Sequence, residues 1–246
     1  MLASLAQATR APDDVVGVDL GSRDDSAALL EAALLEGWML RLPRRATSAD
    51  AVEAVLASRA ARSLPHGDAG STPASSDVEW IWLLPQDAAP APDALEQLLL
   101  GVENAPSVGV AGCKQVAWDD DQRLLDVGFT ASPLGLRVTG LDRGEVDQGQ
   151  HDGRSDVLAV SGAGMLVRRD VWEELGGLDP ELDDRHGAAA ADLDLCRRAH
   201  LAGHRVVVVP AAVVARATSH PPRRATRRAA LHLRLAAAPL PVLPLA

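Results

Sequence analysis

Apolar and polar positions along this chain alternate in blocks of two kinds. Short runs rich in Val, Trp and Leu recur between longer stretches in which Ala and Leu return at helical spacing. Val15–Val18 predicts a short buried strand, with Asp19-Leu20-Gly21-Ser22 as the turn at its carboxyl end. Ser26 is placed to cap a helix that runs to about Leu35. Trp38–Leu42 predicts a second strand, and Thr47 or Ser48 opens a helix over roughly Ala49–Arg62. Trp80–Leu84 predicts a third strand, Pro92–Asn104 a helix with proline near its first turn, and Val108–Cys113 a fourth strand. Arg205–Val209, an almost pure valine run, closes the series.

Two segments break the rhythm. Ser63–Asp77, SLPHGDAGSTPASSD, has no apolar period and reads as a loop. From Leu124 to about Gly153 the pattern becomes short strands and turns, and the block resumes at Val157. No internal repeat is present. Strands alternating with helices predict an α/β fold, a mostly parallel sheet with helices on both faces. The expected organisation is one α/β domain over residues 1–220 and a basic, apolar tail over 221–246.

Composition narrows the picture. A chain of 246 residues can bury a substantial core, but with no Tyr and Phe129 as its only Phe that core is built from Ala, Val and Leu. The single lysine, Lys114, against many arginines reads as codon bias. Cys113 and Cys196, far apart in unrelated contexts, read as two buried thiols. A net charge of −10 argues against non-specific nucleic-acid binding. That average hides an asymmetry: all 34 acidic residues lie at or before Asp194, and nine arginines follow it. Such a basic end suits a membrane, a diphosphate or plain solvent. The opening MLASLAQATRAP is too short and polar for a signal peptide. The closing LAAAPLPVLPLA falls short of the ~20 apolar residues of a spanning helix, and Pro239, Pro241 and Pro244 oppose helix in water. It reads as a flexible tail or the first part of a span.

Candidate chemistry concentrates between Val160 and Pro210. A small-residue strand end (VSGAG) leads into a short helix, a Gly-Gly turn, a loop (DDRHGAAA) and an acidic helix start carrying Asp192. Asp194, two positions on, occupies a different helix face and is spaced to pair with Arg197 or Arg198. Ligands of open α/β sheets bind outside the carboxyl ends of strands. Here those ends are Asp19–Ser22 and Pro85-Gln86-Asp87, each with a carboxylate on a loop. Bland alternatives stand beside each residue. Asp19 is also the polar lip of an ordinary turn, and Asp87 a turn acid before a helix. The small residues of VSGAG also suit tight strand packing. Asp192 near a helix start also contributes dipole stabilisation of ~0.3–1 kcal/mol.

Four segments in order, VVGVDLGSRDDS (15–26), WIWLLPQDAAPAPDALEQLL (80–99), VSGAGMLVRRDVWEELGGLDP (160–180) and ADLDLCRRAHLAGHRVVVVPAAVV (191–214), resemble a bacterial family 2 glycosyltransferase. The nearest likeness is to actinobacterial cell-envelope enzymes in which a membrane region follows the catalytic domain. The resemblance implies a GT-A fold and transfer of a sugar, with inversion, from a UDP- or dTDP-type donor to a glycan or lipid-linked acceptor. It implies a cytoplasmic protein at the inner face of the plasma membrane, with membrane association through its C-terminal end. By position, Asp19 matches the acid that contacts the nucleotide, and Gly21 and Ser22 let the backbone approach it. Asp87 matches the last acid of a metal motif that holds Mg²⁺ or Mn²⁺ on the donor diphosphate. Gln86 precedes it where another acid is usual, offering a neutral oxygen. Asp192 matches the general base that takes the acceptor's proton, with Ala191 where Glu is common. DDRHGAAA, with His186, falls where the family has a flexible acceptor loop. Arg216 stands where a His can complete the metal site, with His220 four residues on, and the Arg223–Arg228 cluster is suited to a diphosphate or anionic lipid.

The family's opening strand would lie before Met1, so the first strand of the sheet is expected to be missing and the chain to be truncated at both ends. Ala191, Gln86, Arg216 and that strand favour the alternative of a non-catalytic or degenerate glycosyltransferase-like binding module. A nucleotidyltransferase would need a glycine-rich basic phosphate loop near the N-terminus, which the sequence lacks.

Overall fold

The structure, a computed structural model, describes residues 1–34, 38–63, 78–132, 137–186 and 188–217. The SLPHGDAGSTPASSD loop beyond Ser63, the His186 side chain, His220, the Arg223–Arg228 cluster and the 221–246 tail lie outside the described residues. The chain forms two compact units, Pro12–Glu79 and a second made of Met1–Ala11 with Trp80 onward.

A single turn, α1 (Leu2–Leu5), opens the chain and belongs to the second unit. Thr9 ties its end down, donating its hydroxyl to Glu96 at 2.7 Å and its N–H to the Pro92 carbonyl at 2.8 Å. In the Pro12–Glu79 unit, β1 (Val16–Asp19), α2 (Ser26–Ala33) and β2 (Trp38–Arg41) form a parallel pair with a connecting helix. Gly17 lets α2 lie on the strand, because a Cβ there would stand 2.5 Å from Leu34 Cδ1. Ser26 does not cap α2. Asp25 holds the cap position, and Asp24 accepts the Ser26 N–H at 3.1 Å. The next helix, α3 (Ser48–Ser63), starts where the sequence places it. Thr47 Oγ1 accepts the Asp50 N–H at 3.2 Å and the Asp50 carboxylate accepts the Thr47 N–H at 2.7 Å, a reciprocal cap.

The second unit continues with β3 (Trp80–Leu83), β4 (Ala88–Pro90), α4 (Ala94–Val102), β5 (Val108–Ala117), β6 (Asp120–Asp126), β7 (Thr130–Ala131) and β8 (Arg137–Val138). It ends with β9 (Met165–Arg168), α5 (Arg169–Leu175), α6 (Pro180–His186), α7 (Ala188–Leu201) and β10 (Arg205–Arg216). Its sheet has the order β3-β9-β5-β10-β4, with β6 on β5. The α/β class and the strand starts match expectation, but the sheet is mixed rather than mostly parallel. Among the described residues only β1–β2 and β5–β10 pair in parallel. The reason is connectivity. A tight turn returns β6 antiparallel to β5, and β9 re-enters between β3 and β5 in the reverse direction.

All ten positions of β5 are buried, as for a strand covered on both faces. On one face Leu95, Leu98 and Val102 of α4 pack with Ala111, Cys113, Val207 and Val214. Gly101 permits that approach, since a Cβ there would meet Val209 Cγ2 at 2.7 Å. Near Gly109 the chain meets Val171 of α5, and α7 packs against β5 and β10. Leu98, fully buried, contributes about 1.5–3 kcal/mol by leaving water. Asp194 does pair with both arginines, at 2.7 Å to Arg198 and 3.8 Å to Arg197. Arg198 in turn donates to the Leu175 and Gly177 carbonyls, satisfying the end of α5 where Gly176 turns left-handed at φ +72°. Lys114 is more than a codon choice. Burial pulls its pKa down, yet Asp147 at 2.8 Å and Asp152 at 2.6 Å leave it raised, and together they tether the irregular segment to β5. Cys113 and Cys196 are buried free thiols, as expected.

Candidate functional site

Asp192 sits in the second turn of α7, inside a run of buried residues from Ala190 to Cys196. It does not cap its own helix. Instead Oδ2 accepts the Gly162 N–H at 2.7 Å, across 30 residues of sequence. Gly162 is required there, because a Cβ would lie 2.7 Å from Asp192 Oδ1. The small residues of VSGAG thus serve the protein's own carboxylate. Gly164, at φ +84°, likewise abuts Cys113 and Val214, and Gln115 holds the Ala163 carbonyl at 3.0 Å. Asp192 is only 4% exposed. Burial raises its pKa to about 7, while the Gly162 N–H and the fields of Arg137 and Arg216 oppose the rise, and Asp183 adds to it. A carboxyl group with that pKa changes protonation near neutral pH, as a general base requires.

The second corner is the turn between β3 and β4. The Ala88 N–H closes it on the Pro85 carbonyl at 3.0 Å, with Gln86 exposed at the tip and Asp87 beside it. The antiparallel pairing of β10 with β4 sets Arg216 opposite Ala88. Arg216 Nε therefore meets Asp87 Oδ2 at 3.2 Å, and its Nη1 donates to Ser161 Oγ at 3.1 Å. The Ala217 N–H also donates to the Asp87 carbonyl at 3.0 Å. Asp87 and Asp192 are thus joined through Arg216, Ser161 and Gly162.

Two charged residues that the sequence reading did not single out complete this cluster. Asp126, at the end of β6, is buried and ion-paired with Arg137, and its Oδ1 has no hydrogen-bond partner among the described residues. Burial raises its pKa against Arg137 and Arg216. Arg137 also lies over the Phe129 ring at 4.4 Å. The only signal for Asp126 was a lone acid inside the apolar LLDVGF run.

Asp19, Gly21 and Ser22 lie together in the Pro12–Glu79 unit, at the carboxyl end of β1 as expected. Asp19 Oδ1 accepts the Ser22 N–H at 3.1 Å, and hydrogen bonds from Ser22, side chain first, hold its pKa below the ordinary value. Gly21 turns at φ +72° against the Arg44 backbone nitrogen, which a Cβ would approach to 3.0 Å. The expected acceptor loop is largely helical: Asp183 to His186 finish α6, and Ala188 to Ala190 start α7.

The expected Mg²⁺ or Mn²⁺ would need one or two protein carboxylates together with diphosphate oxygens and water, and Asp87 is the carboxylate that this turn offers. Among the described residues no group of three His, Cys, Asp or Glu would hold such an ion without the donor. The carboxylate expected to serve, Asp87, already faces a guanidinium.

A mixed sheet flanked by helices, with an acid after β3 and another in α7, defines a GT-A-like domain. Residues 2–236 match the family described as Glycosyltransferase like family 2, and the chain belongs to it. Among solved structures, S. aureus TarS (residues 1–349, in complex with UDP) is similar at TM-score 0.59 and 15% identity, over 98% of this chain and 62% of that one. The mannosyltransferase PcManGT from Pyrobaculum calidifontis, with GDP-Man and Mn²⁺, gives TM-score 0.56 and 16% identity over 98% and 71%. GalNAc-T7, crystallised with UDP, GalNAc and Mn²⁺, gives 0.58 and 15% over 88% of this chain and 41% of that one. The chain thus spans less than two thirds of the length of TarS and GalNAc-T7 in those structures. No curated protein sequence matches it.

Proposed function

We propose that this chain transfers a sugar from a nucleotide-diphosphate donor of UDP or dTDP type to a hydroxyl of a cell-envelope glycan or lipid-linked acceptor, with inversion. One observation carries the reading: a carboxyl group, Asp192, is buried in α7 with one oxygen held by the Gly162 N–H, within the fields of Arg137 and Arg216. In the reaction the acceptor oxygen attacks the anomeric carbon from the face opposite the donor diphosphate. As the new C–O bond forms, the bond to the diphosphate oxygen breaks and the nucleoside diphosphate leaves with that electron pair. Asp192 takes the acceptor's proton as it is released. The Gly162 N–H steadies one carboxylate oxygen, leaving the other for the proton. Arg137 and Arg216 favour the ionised form before reaction.

Asp19, Gly21 and Ser22 are assigned to nucleotide contact, on the strength of their place at a strand end and the family match. Asp87 and Gln86 are assigned to the turn that receives the diphosphate. Action at the cytoplasmic face of the plasma membrane, as an actinobacterial cell-envelope type, is supported by the arginine-rich and then apolar C-terminal sequence. Among the described residues no helix is long and apolar enough to cross a membrane.

The test is turnover with UDP- and dTDP-sugars and with glycan or polyprenyl-linked acceptors, read as released nucleoside diphosphate. Turnover that Asp192→Asn abolishes while UDP binding persists supports the proposal. UDP binding with no turnover for any pair would favour the non-catalytic binding module.

A further inference from the structure

The corner that joins Asp87 to Arg216 has a feature that the family reading of a metal site does not accommodate. The position next to the turn acid holds a fixed monovalent cation that belongs to the protein. Arg216 lies at the end of β10, pinned in register opposite Ala88, and the neighbouring Ala217 N–H clasps the Asp87 carbonyl. Its side chain is held on two sides, by Asp87 through Nε and by Ser161 through Nη1. A guanidinium has five N–H donors. Nη2 has no hydrogen-bond partner among the described residues, and the side chain is 29% exposed. The donors left over have no partner among the described residues, on a side chain that is only partly buried. Planar guanidinium matches two phosphate oxygens at once, which suits it to a diphosphate.

The surroundings argue against a second cation at the same place. A divalent ion on Asp87 would face the Arg216 charge with one carboxylate between them, and Gln86 supplies no second charge. The field of Arg216 also reaches Asp126 and Asp192, so this one guanidinium acts on every carboxylate of the cluster.

We propose that Arg216 takes the place of the divalent cation, neutralising the donor's diphosphate so that nucleotide binding and sugar transfer proceed without metal. The inference rests on the donor class proposed above. Asp87 is then a positioning residue that orients the guanidinium, with Ser161 as its second support.

The test is calorimetric titration of the full chain with UDP and with dTDP, once in EDTA and once in excess Mn²⁺. The expected result is binding in EDTA that Mn²⁺ tightens less than about twofold. Arg216→Gln weakens it about tenfold or more, the loss of one charge-assisted contact, and Arg216→Lys keeps most of it. Arg216→His, which removes the fixed charge and adds a metal ligand, makes binding depend on Mn²⁺. Thermal melts of each variant separate folding from binding. Nucleotide binding only in Mn²⁺ overturns the inference and leaves the transferase reading standing. Equal binding by wild type and a folded Arg216→Gln in EDTA also overturns it. Failure of both nucleotides under both conditions overturns the inference together with the donor class on which it rests.

Discussion

Asp19 and Asp192 both show little surface, at 8% and 4% exposure, yet desolvation dominates only at Asp192, while at Asp19 the Ser22 hydrogen bonds outweigh it. Asp19 is satisfied within three residues: Ser22 supplies hydrogen bonds and the pKa is lowered. Asp192 has one hydrogen-bond partner among the described residues, a backbone N–H from 30 residues away, and burial raises its pKa to about 7. Hydrogen bonds to the charged form favour ionisation, and desolvation disfavours it. The difference teaches that burial alone does not mark a catalytic acid or base. What matters is how few donors the fold supplies to a carboxylate it has removed from water.

The largest expected effect on this contrast is Asp192→Asn. Turnover should fall by about 10²–10⁴-fold, the range for loss of a general base, with UDP binding retained. The same variant should be more stable than wild type at pH 8, by on the order of 1–2 kcal/mol in urea unfolding, because a costly buried charge is gone. Gly162→Ala should follow. Its Cβ would stand 2.7 Å from Asp192 Oδ1, so overpacking should cost about 1–3 kcal/mol and turnover should drop through displacement of the base. A fall in turnover without a change in stability would break the link between glycine and carboxylate.

The two acids also differ in the sign of a pH effect. The native state holds the Asp192 proton up to about pH 7, whereas an unfolded Asp releases it near 3.8. Between those values the native state binds more protons, so its stability declines as pH rises. Subtracting the Asp192→Asn curve from the wild-type curve should isolate that decline. The smallest effect belongs to Asp19. Its lowered pKa makes its contribution present above about pH 3.8 and lost as pH falls further. Asp19→Asn should therefore lower the melting temperature slightly at pH 7 and not in strong acid.

Much of this was legible in the sequence, and the limits have physical causes. The strands β1, β2, β3, β5 and β10 were visible because each contains a short run rich in Val, Trp or Leu. The Thr47 cap was visible because its chemistry is local. Strand direction was not, since it depends on where β9 re-enters the sheet, and β4 is a three-residue strand ending in proline. The acids Asp87 and Asp192 could be read from strand-end and helix-start positions. Their partners could not: Arg216 is 129 residues from Asp87, and Arg137 is 11 residues from Asp126. The steric reason for Gly162 likewise exists only once α7 and the VSGAG segment are packed together.

The most direct measurement is a ¹³C NMR titration of the Asp192 side-chain carboxyl, assigned by difference against Asp192→Asn. A midpoint near pH 7 is the predicted result. A midpoint near 3.8, the ordinary aspartate value, would contradict the account of Asp192 as a desolvated base poised at neutral pH.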